Sequence, residues 1–336
     1  MLVFACETSC DETSICLMEN KRIVEHFIFS QEIHSKHGGV VPELASRSHL
    51  ENIQEMTKKL FQKSKVEPKN IDVFCSTCGP GLIGSLLVGS TFTKSLSLCY
   101  NKPFIPINHL EGHVLSTSFN NEIDYPHLVL LLTGGHTQVY LMKDSNQIKL
   151  LGGTVDDAIG EAFDKTAKML GLSYPGGAEI EKMAKDGDEN YFEVPKPLVN
   201  EKNFNFSFSG IKTHINLLIK KNILSNSFIS NVSASFQKTI AEIITLKLEK
   251  GIDILSEKNT HIKSISVVGG VSNNQYIKKK IEKIFEKEKI KIYYPIKEMM
   301  GDNAAMIAWA CIKNYQNKKS DLFFKAQARM NIDEVL

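Results

Sequence analysis

Two histidines one helical turn apart, in Asn108-His109-Leu110-Glu111-Gly112-His113, have the spacing in this chain best suited to chemistry. Residues i and i+4 of a helix share a face, so both imidazoles can reach one divalent metal. A zincin protease reads H-E-x-x-H, with its glutamate base directly after the first histidine. Here Glu111 stands two places after His109, about 200° around a helix, and points away from anything the histidines hold. The spacing therefore reads as a metal site without a protease base; two surface or capping histidines are the alternative. Asp302-Asn303 opens the last expected helix, either as a cap or as the source of a third, hard ligand.

Tight turns rich in glycine or hydroxyl residues fall at four strand ends. Glu7-Thr8-Ser9-Cys10-Asp11-Glu12-Thr13 links the first two expected strands, and Thr133-Gly134-Gly135-His136-Thr137 holds the same place in the second half. Gly79-Pro80-Gly81-Leu82-Ile83-Gly84 and Val268-Gly269-Gly270-Val271-Ser272-Asn273-Asn274 each precede a helix. Bare backbone admits a phosphate closely, and turn N–H groups supply donors. None of the four matches the dinucleotide pattern G-x-G-x-x-G or the P-loop pattern G-x-x-x-x-G-K-[ST], so neither fold is supported. Two such hairpins at equivalent places suit a phosphate clamp in a two-lobed nucleotide-binding fold. One of the adjacent pair Asp156 and Asp157 can cap the helix that follows, whereas Asp164 is mid-helix and needs another reason.

The elements that must position these residues repeat in order. Strands are expected near 2–8, 14–19 and 22–30. A helix then covers 42–64, with Pro42 at its start and Leu50, Ile53, Leu60 and Phe61 on one face. A strand at 71–77, a helix at 84–100, a strand at 104–108 and the HxxxH helix at 109–119 complete the first half. The second half opens with strands near 127–133, 137–143 and 147–152, then helices at 156–170, 178–186, 209–221 and 227–257. It closes with a strand at 262–268, a helix at 273–288, a strand at 290–294 and a helix at 302–316. Three strands followed by helix–strand units, twice over, predict a duplicated α/β architecture with mixed sheets. The expected lobes are 1–125 with 303–336, carrying the HxxxH helix, and 126–302, carrying the substrate loops, with a cleft between them.

Composition excludes several classes. Among 336 residues, 42% are hydrophobic and 23% charged, as in a globular protein with a sizeable core. No apolar run reaches membrane-span length. Met1 leads straight into an apolar strand without a basic n-region, which predicts no signal or transit peptide. Seven cysteines, including Cys75 and Cys78 in a lone C-x-x-C, read as buried thiols of a reducing compartment, hence the cytoplasm. Net charge is +2, and only Arg22, Arg47 and Arg329 are arginine, so nothing global argues for nucleic-acid binding by this chain alone. His34-Ser35-Lys36-His37 reads as a mobile loop near substrate or a partner, and His49, His127, His214 and His261 carry no functional reading.

Taken together, the motifs resemble the bacterial TsaD family of tRNA adenosine threonylcarbamoyltransferases, formerly described as sialoglycoprotein endopeptidases. The resemblance runs from about residue 3 to residue 309. Beyond the motifs above, it includes Gly38-Gly39-Val40-Val41-Pro42-Glu43-Leu44-Ala45-Ser46-Arg47, Gly160 to Lys168, Tyr174-Pro175-Gly176-Gly177, Phe206-Ser207-Phe208-Ser209-Gly210 and Ala305-Met306-Ile307-Ala308. Asn273 and Ala304 depart from the family pattern, as does the tail after Phe324.

The resemblance implies the two-lobed actin-like ATPase (ASKHA, duplicated RNase H-like) fold. It implies one metal, iron or zinc, on His109, His113 and Asp302. It implies threonylcarbamoyl-AMP against Leu132, Thr133, Gly134, Gly135, His136, Asp164, Gly177 and Asn274. The threonylcarbamoyl group would move to N6 of the adenosine 3′ of the anticodon (position 37) in tRNAs reading ANN codons, giving t6A. A separate synthase would make the adenylate, and a TsaB-like paralogue and a TsaE-like ATPase would be partners. No residue is an obvious base; Asp11 and Glu12 are the candidates. The rival functions are a nucleotide-binding scaffold or ATPase subunit of a tRNA-modification complex and, against the position of Glu111, a metalloprotease.

Overall fold

Near-continuous apolar runs open both halves of the chain, and each becomes the central strand of a five-stranded sheet. The computed structural model describes residues 1–145 and 147–332; the end of the expected first lobe, 333–336, lies outside the described residues. It divides into two units, Met1–Asn121 with Pro295–Leu336, and Glu122–Tyr294.

The first unit runs β1 (Leu2–Glu7), β2 (Glu12–Glu19), β3 (Arg22–Ser30), α1 (Pro42–Ser64), β4 (Val73–Gly79), α2 (Ile83–Tyr100), β5 (Phe104–Asn108) and α3 (His109–Leu115). Its strand order is β3-β2-β1-β4-β5. The first three strands pair antiparallel, and β4 and β5 add in parallel. Phe4, Cys6, Ile15, Leu17 and Phe74 on the sheet pack with Ile53 and Leu60 of α1. Leu50, expected on that buried face of α1, is instead 68% exposed.

The second unit runs β6 (His127–Leu132), β7 (Thr137–Met142), β8 (Ile148–Gly153), α4 (Ile159–Met169), α5 (Gly176–Ala184), α6 (Ser209–Lys221), α7 (Asn226–Glu257), β9 (Ser264–Val268), α8 (Gln275–Phe285) and β10 (Lys291–Tyr293). Its order, β10-β9-β6-β7-β8, repeats the first sheet strand for strand. The 32-residue α7, most of whose residues are buried, lies in the core of this unit beside Phe163, Phe206 and Phe208.

The chain then returns to the first unit as α9 (Ala304–Lys313), buried from Ala304 to Cys311. That return places Asp302 in the same unit as His109 and His113. Cys75 and Cys78 are buried free thiols on β4. Among the described residues no helix is long and apolar enough to cross a membrane.

Candidate metal centre and glycine-rich loops

The sequence of α3 accounts for its placement residue by residue. Asn108 caps it, its Oδ1 accepting N–H bonds from Leu110 (2.8 Å) and Glu111 (3.3 Å). The Asn108 amide also donates to the carbonyls of Met330 and Asn331, fastening the cap to the C-terminal segment. All seven residues of α3 are buried. Gly112 faces α9, where a Cβ would stand 2.9 Å from Ile307 Cδ1, so the bare position lets the two helices approach. Glu111 takes the opposite role from a catalytic base: one carboxylate oxygen accepts from Lys318 Nζ at 2.8 Å and the other from Asn314 at 2.7 Å, fully buried.

On the remaining face His109 and His113 meet Asp302. Both Nε2 atoms converge on one oxygen, Asp302 Oδ1, at 3.5 Å and 3.0 Å. One ligand atom from each of the three residues lies within 4.8 Å of the others. Asn303, next to Asp302, caps α9 through Met306 N–H, and Ala304 N–H donates to Ser14 on β2 at 2.9 Å. The two readings of Asp302-Asn303 are thus divided between the residues: asparagine caps and aspartate faces the histidines. The third ligand position was legible as a candidate because it opens a helix.

What sequence reasoning missed is Glu7. Its Oε2 lies 3.0 Å from His109 Nδ1, and the carboxylate also accepts from Ser9 N–H at 2.5 Å and from the Thr77 hydroxyl. Ser9 Oγ adds a contact to the same imidazole nitrogen at 3.2 Å. A carboxylate behind a histidine whose other nitrogen faces a ligand position is the arrangement that orients metal-bound imidazoles. His113 has no such support among the described residues: its buried Nδ1 lacks a hydrogen-bond partner.

The electrostatics also fit a cation. Burial would raise Glu7, but the adjacent His109 ring outweighs it and holds the carboxyl below its usual range. Burial opposes charge on His109, yet Glu7 and Asp302 together hold it well above an ordinary histidine. Asp302 is held well below the carboxylate range by the two rings despite its desolvation. Burial pushes His113 down. Glu12 is pushed well up, first by burial and then by the negative charges of Asp11 and Asp302. Two imidazoles and a carboxylate held together in this way form a donor set of the kind that divalent metals take.

The glycine-rich loops divide into two kinds. At Gly79 to Gly84 the turn donors are already used: Gly81 N–H bonds Ala328 O and Leu82 N–H bonds Ser9 O. This loop supports the first hairpin and offers no phosphate cradle at those groups. In the second unit, Leu132 ends β6, and Thr133 closes the turn by accepting His136 N–H on its hydroxyl at 2.9 Å. A Cβ on Gly134, Gly135 or Gly177 would meet nothing within 4 Å, and none of the three has a positive φ. Neither the packing of a Cβ nor the backbone conformation requires glycine at these three positions. Gly269 differs: φ is +92°, and a Cβ would fall 2.4 Å from the carbonyl oxygen of Leu132.

Asp164 has its mid-helix reason in part, since Oδ1 accepts Gly176 N–H at 2.7 Å and joins α4 to α5. Asn274 caps α8 through Ile277 N–H and donates to Gln237 at 2.8 Å, so both ends of its amide are engaged. Neither Asp156 nor Asp157 caps α4, whose first N–H, from Ile159, goes to the Thr137 hydroxyl. Asp156 instead gathers Ser207, Phe208 and Ser209 through both carboxylate oxygens, which explains the serines of the Phe206–Gly210 motif. Asp157 pairs with Lys165 at 2.9 Å.

A family model described as TsaD, tRNA N6-adenosine threonylcarbamoyltransferase, matches residues 22–309. The chain is 46% identical over 322 residues to the tRNA N6-adenosine threonylcarbamoyltransferase of Thermosipho africanus (strain TCF52B), covering 94% of this chain and 95% of that one. Among solved structures, T. kodakarensis HypF is similar with a TM-score of 0.63 at 13% identity, over 94% of this chain and 48% of that longer one. The activator of the 2-hydroxyisocaproyl-CoA dehydratase from Clostridium difficile, with bound ADPNP, has a TM-score of 0.51 at 15% identity, over 94% and 97%. These two likenesses show the fold, the α/β architecture of the actin-like ATPase class.

Proposed function

The chain belongs to the TsaD family, and we propose that its reaction is transfer of the threonylcarbamoyl group from threonylcarbamoyl-AMP to N6 of the adenosine 3′ of the anticodon. The substrates are tRNAs reading ANN codons, and the product is t6A. N6 gains the carbonyl carbon, the bond from that carbon to the phosphate oxygen breaks, AMP leaves with the electron pair, and N6 loses a proton. The convergence of His109, His113 and Asp302, with Glu7 behind His109, is the observation that supports this reading most directly.

His109, His113 and Asp302 are the residues that would hold a divalent metal, iron in the first instance and zinc in the second. Such an ion supplies Lewis-acid polarisation or a template for the acyl donor. Glu7 holds His109 in the tautomer that presents Nε2 to the ligand position. Asp11 and Glu12, on the turn between β1 and β2, are the two candidates for accepting the N6 proton. Residues 132–136 offer bare backbone at Gly134 and Gly135 for the phosphate, Gly177 for the nucleoside, and Asp164 for the sugar. Asn274 contributes by holding the Gly269–Asn274 turn rather than by a free amide.

With three arginines and near-zero net charge, the chain depends on partners for basic tRNA-binding surface. We assign a TsaB-like paralogue and a TsaE-like ATPase as those partners, a separate synthase as the source of the adenylate, and the cytoplasm as the compartment. Glu111, buried under Lys318, is not available as a peptidase base.

The test is nucleoside mass spectrometry of an ANN-decoding tRNA transcript incubated with the protein, threonylcarbamoyl-AMP and the partner subunits, beside the same mixture with His113→Ala. Threonylcarbamoyladenosine formed only by the unsubstituted protein supports the reading. No product from a folded, metal-loaded protein with its partners overturns it in favour of a scaffold.

A further inference from the structure

His49, on α1, is fully buried and lies against the first hairpin. Its Nε2 is 3.0 Å from the carbonyl oxygen of Cys10, and its Nδ1 is 2.7 Å from the hydroxyl of Thr13. These two contacts bracket Asp11 and Glu12 on both sides. A carbonyl only accepts, so the proton sits on Nε2 and Nδ1 is the acceptor. Thr13 then donates to Nδ1, and so does the Gln31 amide at 3.3 Å, which also donates to Ala45 O.

The same logic continues outward. With its nitrogen donating, Gln31 presents Oε1 to His34 Nε2–H at 2.9 Å, which leaves His34 Nδ1 to accept the N–H of Val41 at 3.3 Å. His34, Gln31, His49 and Thr13 are all buried, and each donor meets an acceptor in one consistent direction. The chain of bonds therefore runs from the backbone before Asp11 to the backbone at the start of α1. It ties down both ends of the segment between Gln31 and Val41, whose Ser35, His37 and Gly38 are exposed.

We propose that His49 is a positioning residue that sets the Asp11–Glu12 turn for the transfer reaction and couples it to the segment 31–41. The inference rests on the reading above that the Asp11–Glu12 turn supplies the proton acceptor. It is independent of the metal ligands, since the bonds of His49 go to Cys10, Thr13 and Gln31. Its logic is one of fit: Leu at this position fills similar volume but takes the imidazole partner from the Cys10 carbonyl and the Thr13 hydroxyl, and leaves the Gln31 amide only Ala45 O.

The experiment measures transfer by the full chain with its partners for His49→Leu, His49→Gln, His34→Leu and the double variant His34→Leu/His49→Leu, with metal content determined for each. His49→Leu is expected to keep its metal and to lose about 30- to 100-fold in kcat, with KM for the adenylate changed less than about threefold, as a displaced reacting group requires. His49→Gln, which can still donate to Cys10 O, recovers most of that loss. The double variant is no worse than about threefold below His49→Leu, because the two sites act through one chain of bonds.

A folded, metal-loaded His49→Leu with kcat within about threefold of the unsubstituted protein overturns the proposal; so does parallel loss of metal and activity. If His49→Leu does not fold, Thr13→Val and the ¹⁵N shifts of the His49 ring in the unsubstituted protein decide. The Nε2–H tautomer with a reduced kcat in Thr13→Val supports the assignment, and the Nδ1–H tautomer refutes it. An unsubstituted protein that makes no product refutes the proposed function instead, and the ring tautomer still decides whether the chain of bonds exists.

Discussion

Glu7 and His109 are 102 residues apart in sequence and 3.0 Å apart in space, both buried, with the carboxylate held in turn by Ser9 N–H and the Thr77 hydroxyl. The pair fixes which nitrogen of His109 faces Asp302, and His113 has no equivalent support among the described residues. The candidate metal centre is therefore asymmetric: His109 is held from behind by Glu7, whereas His113 is held only at Nε2, by Asp302.

Removing that support has a defined consequence. Glu7→Ala is expected to weaken divalent-metal binding by about 10- to 100-fold, the usual cost of deleting a carboxylate behind a metal-bound histidine. Competition titration against a chelator measures it. Unchanged affinity would show that Glu7 does not orient a ligand.

The pair Glu111–Lys318 belongs to stability rather than chemistry. Lys318→Met leaves a buried carboxylate without its cation and should cost about 3 kcal/mol in denaturant unfolding. Glu111→Leu/Lys318→Met removes both charges and should recover most of that loss. A double variant as unstable as the single one would contradict the account, because the cost would then lie in packing.

Gly269→Ala places a side chain where φ is +92° and a Cβ would overlap the Leu132 carbonyl. The expected loss is about 2–4 kcal/mol from the left-handed backbone and the overlap combined. Since the strained contact is with the end of β6, KM for the adenylate should rise more than kcat falls. Steady-state kinetics with the folded variant separate the two.

Acid stability reports on His127. Its ring is buried between Ser264 and Ser266, with Nδ1 at 2.7 Å and Nε2 at 2.8 Å from their hydroxyls, and burial lowers its pKa to about 4. In the unfolded chain a histidine takes its proton near pH 6.5, so the unfolded state binds more protons across the window from 6.5 to 4. The contribution is fully present above about pH 6.5 and is lost as pH falls toward 4, by about 3 kcal/mol in all. His127→Asn should flatten the dependence of the urea midpoint on pH in that window, whatever its constant cost. An unaltered slope would place the acid sensitivity elsewhere.

The local periodicities were readable from sequence alone. The i, i+4 spacing put His109 and His113 on one face and Glu111 off it, and the helix bears that out with Glu111 turned to Lys318. Element order gave two similar halves, and the sheets repeat strand for strand, because alternation and apolar runs are properties of short windows. Tertiary structure decided which partners those faces meet. Asp302 reaches His113 across 189 residues, Glu7 stands behind His109, and Leu50 is left exposed although its spacing matches Ile53. It also joined His34, read from sequence as part of a mobile loop, and His49, which had no functional reading, in one buried chain of bonds through Gln31. A side chain's period says which way it points; only the long-range folding of the backbone says what lies there, and no short window of sequence carries that information.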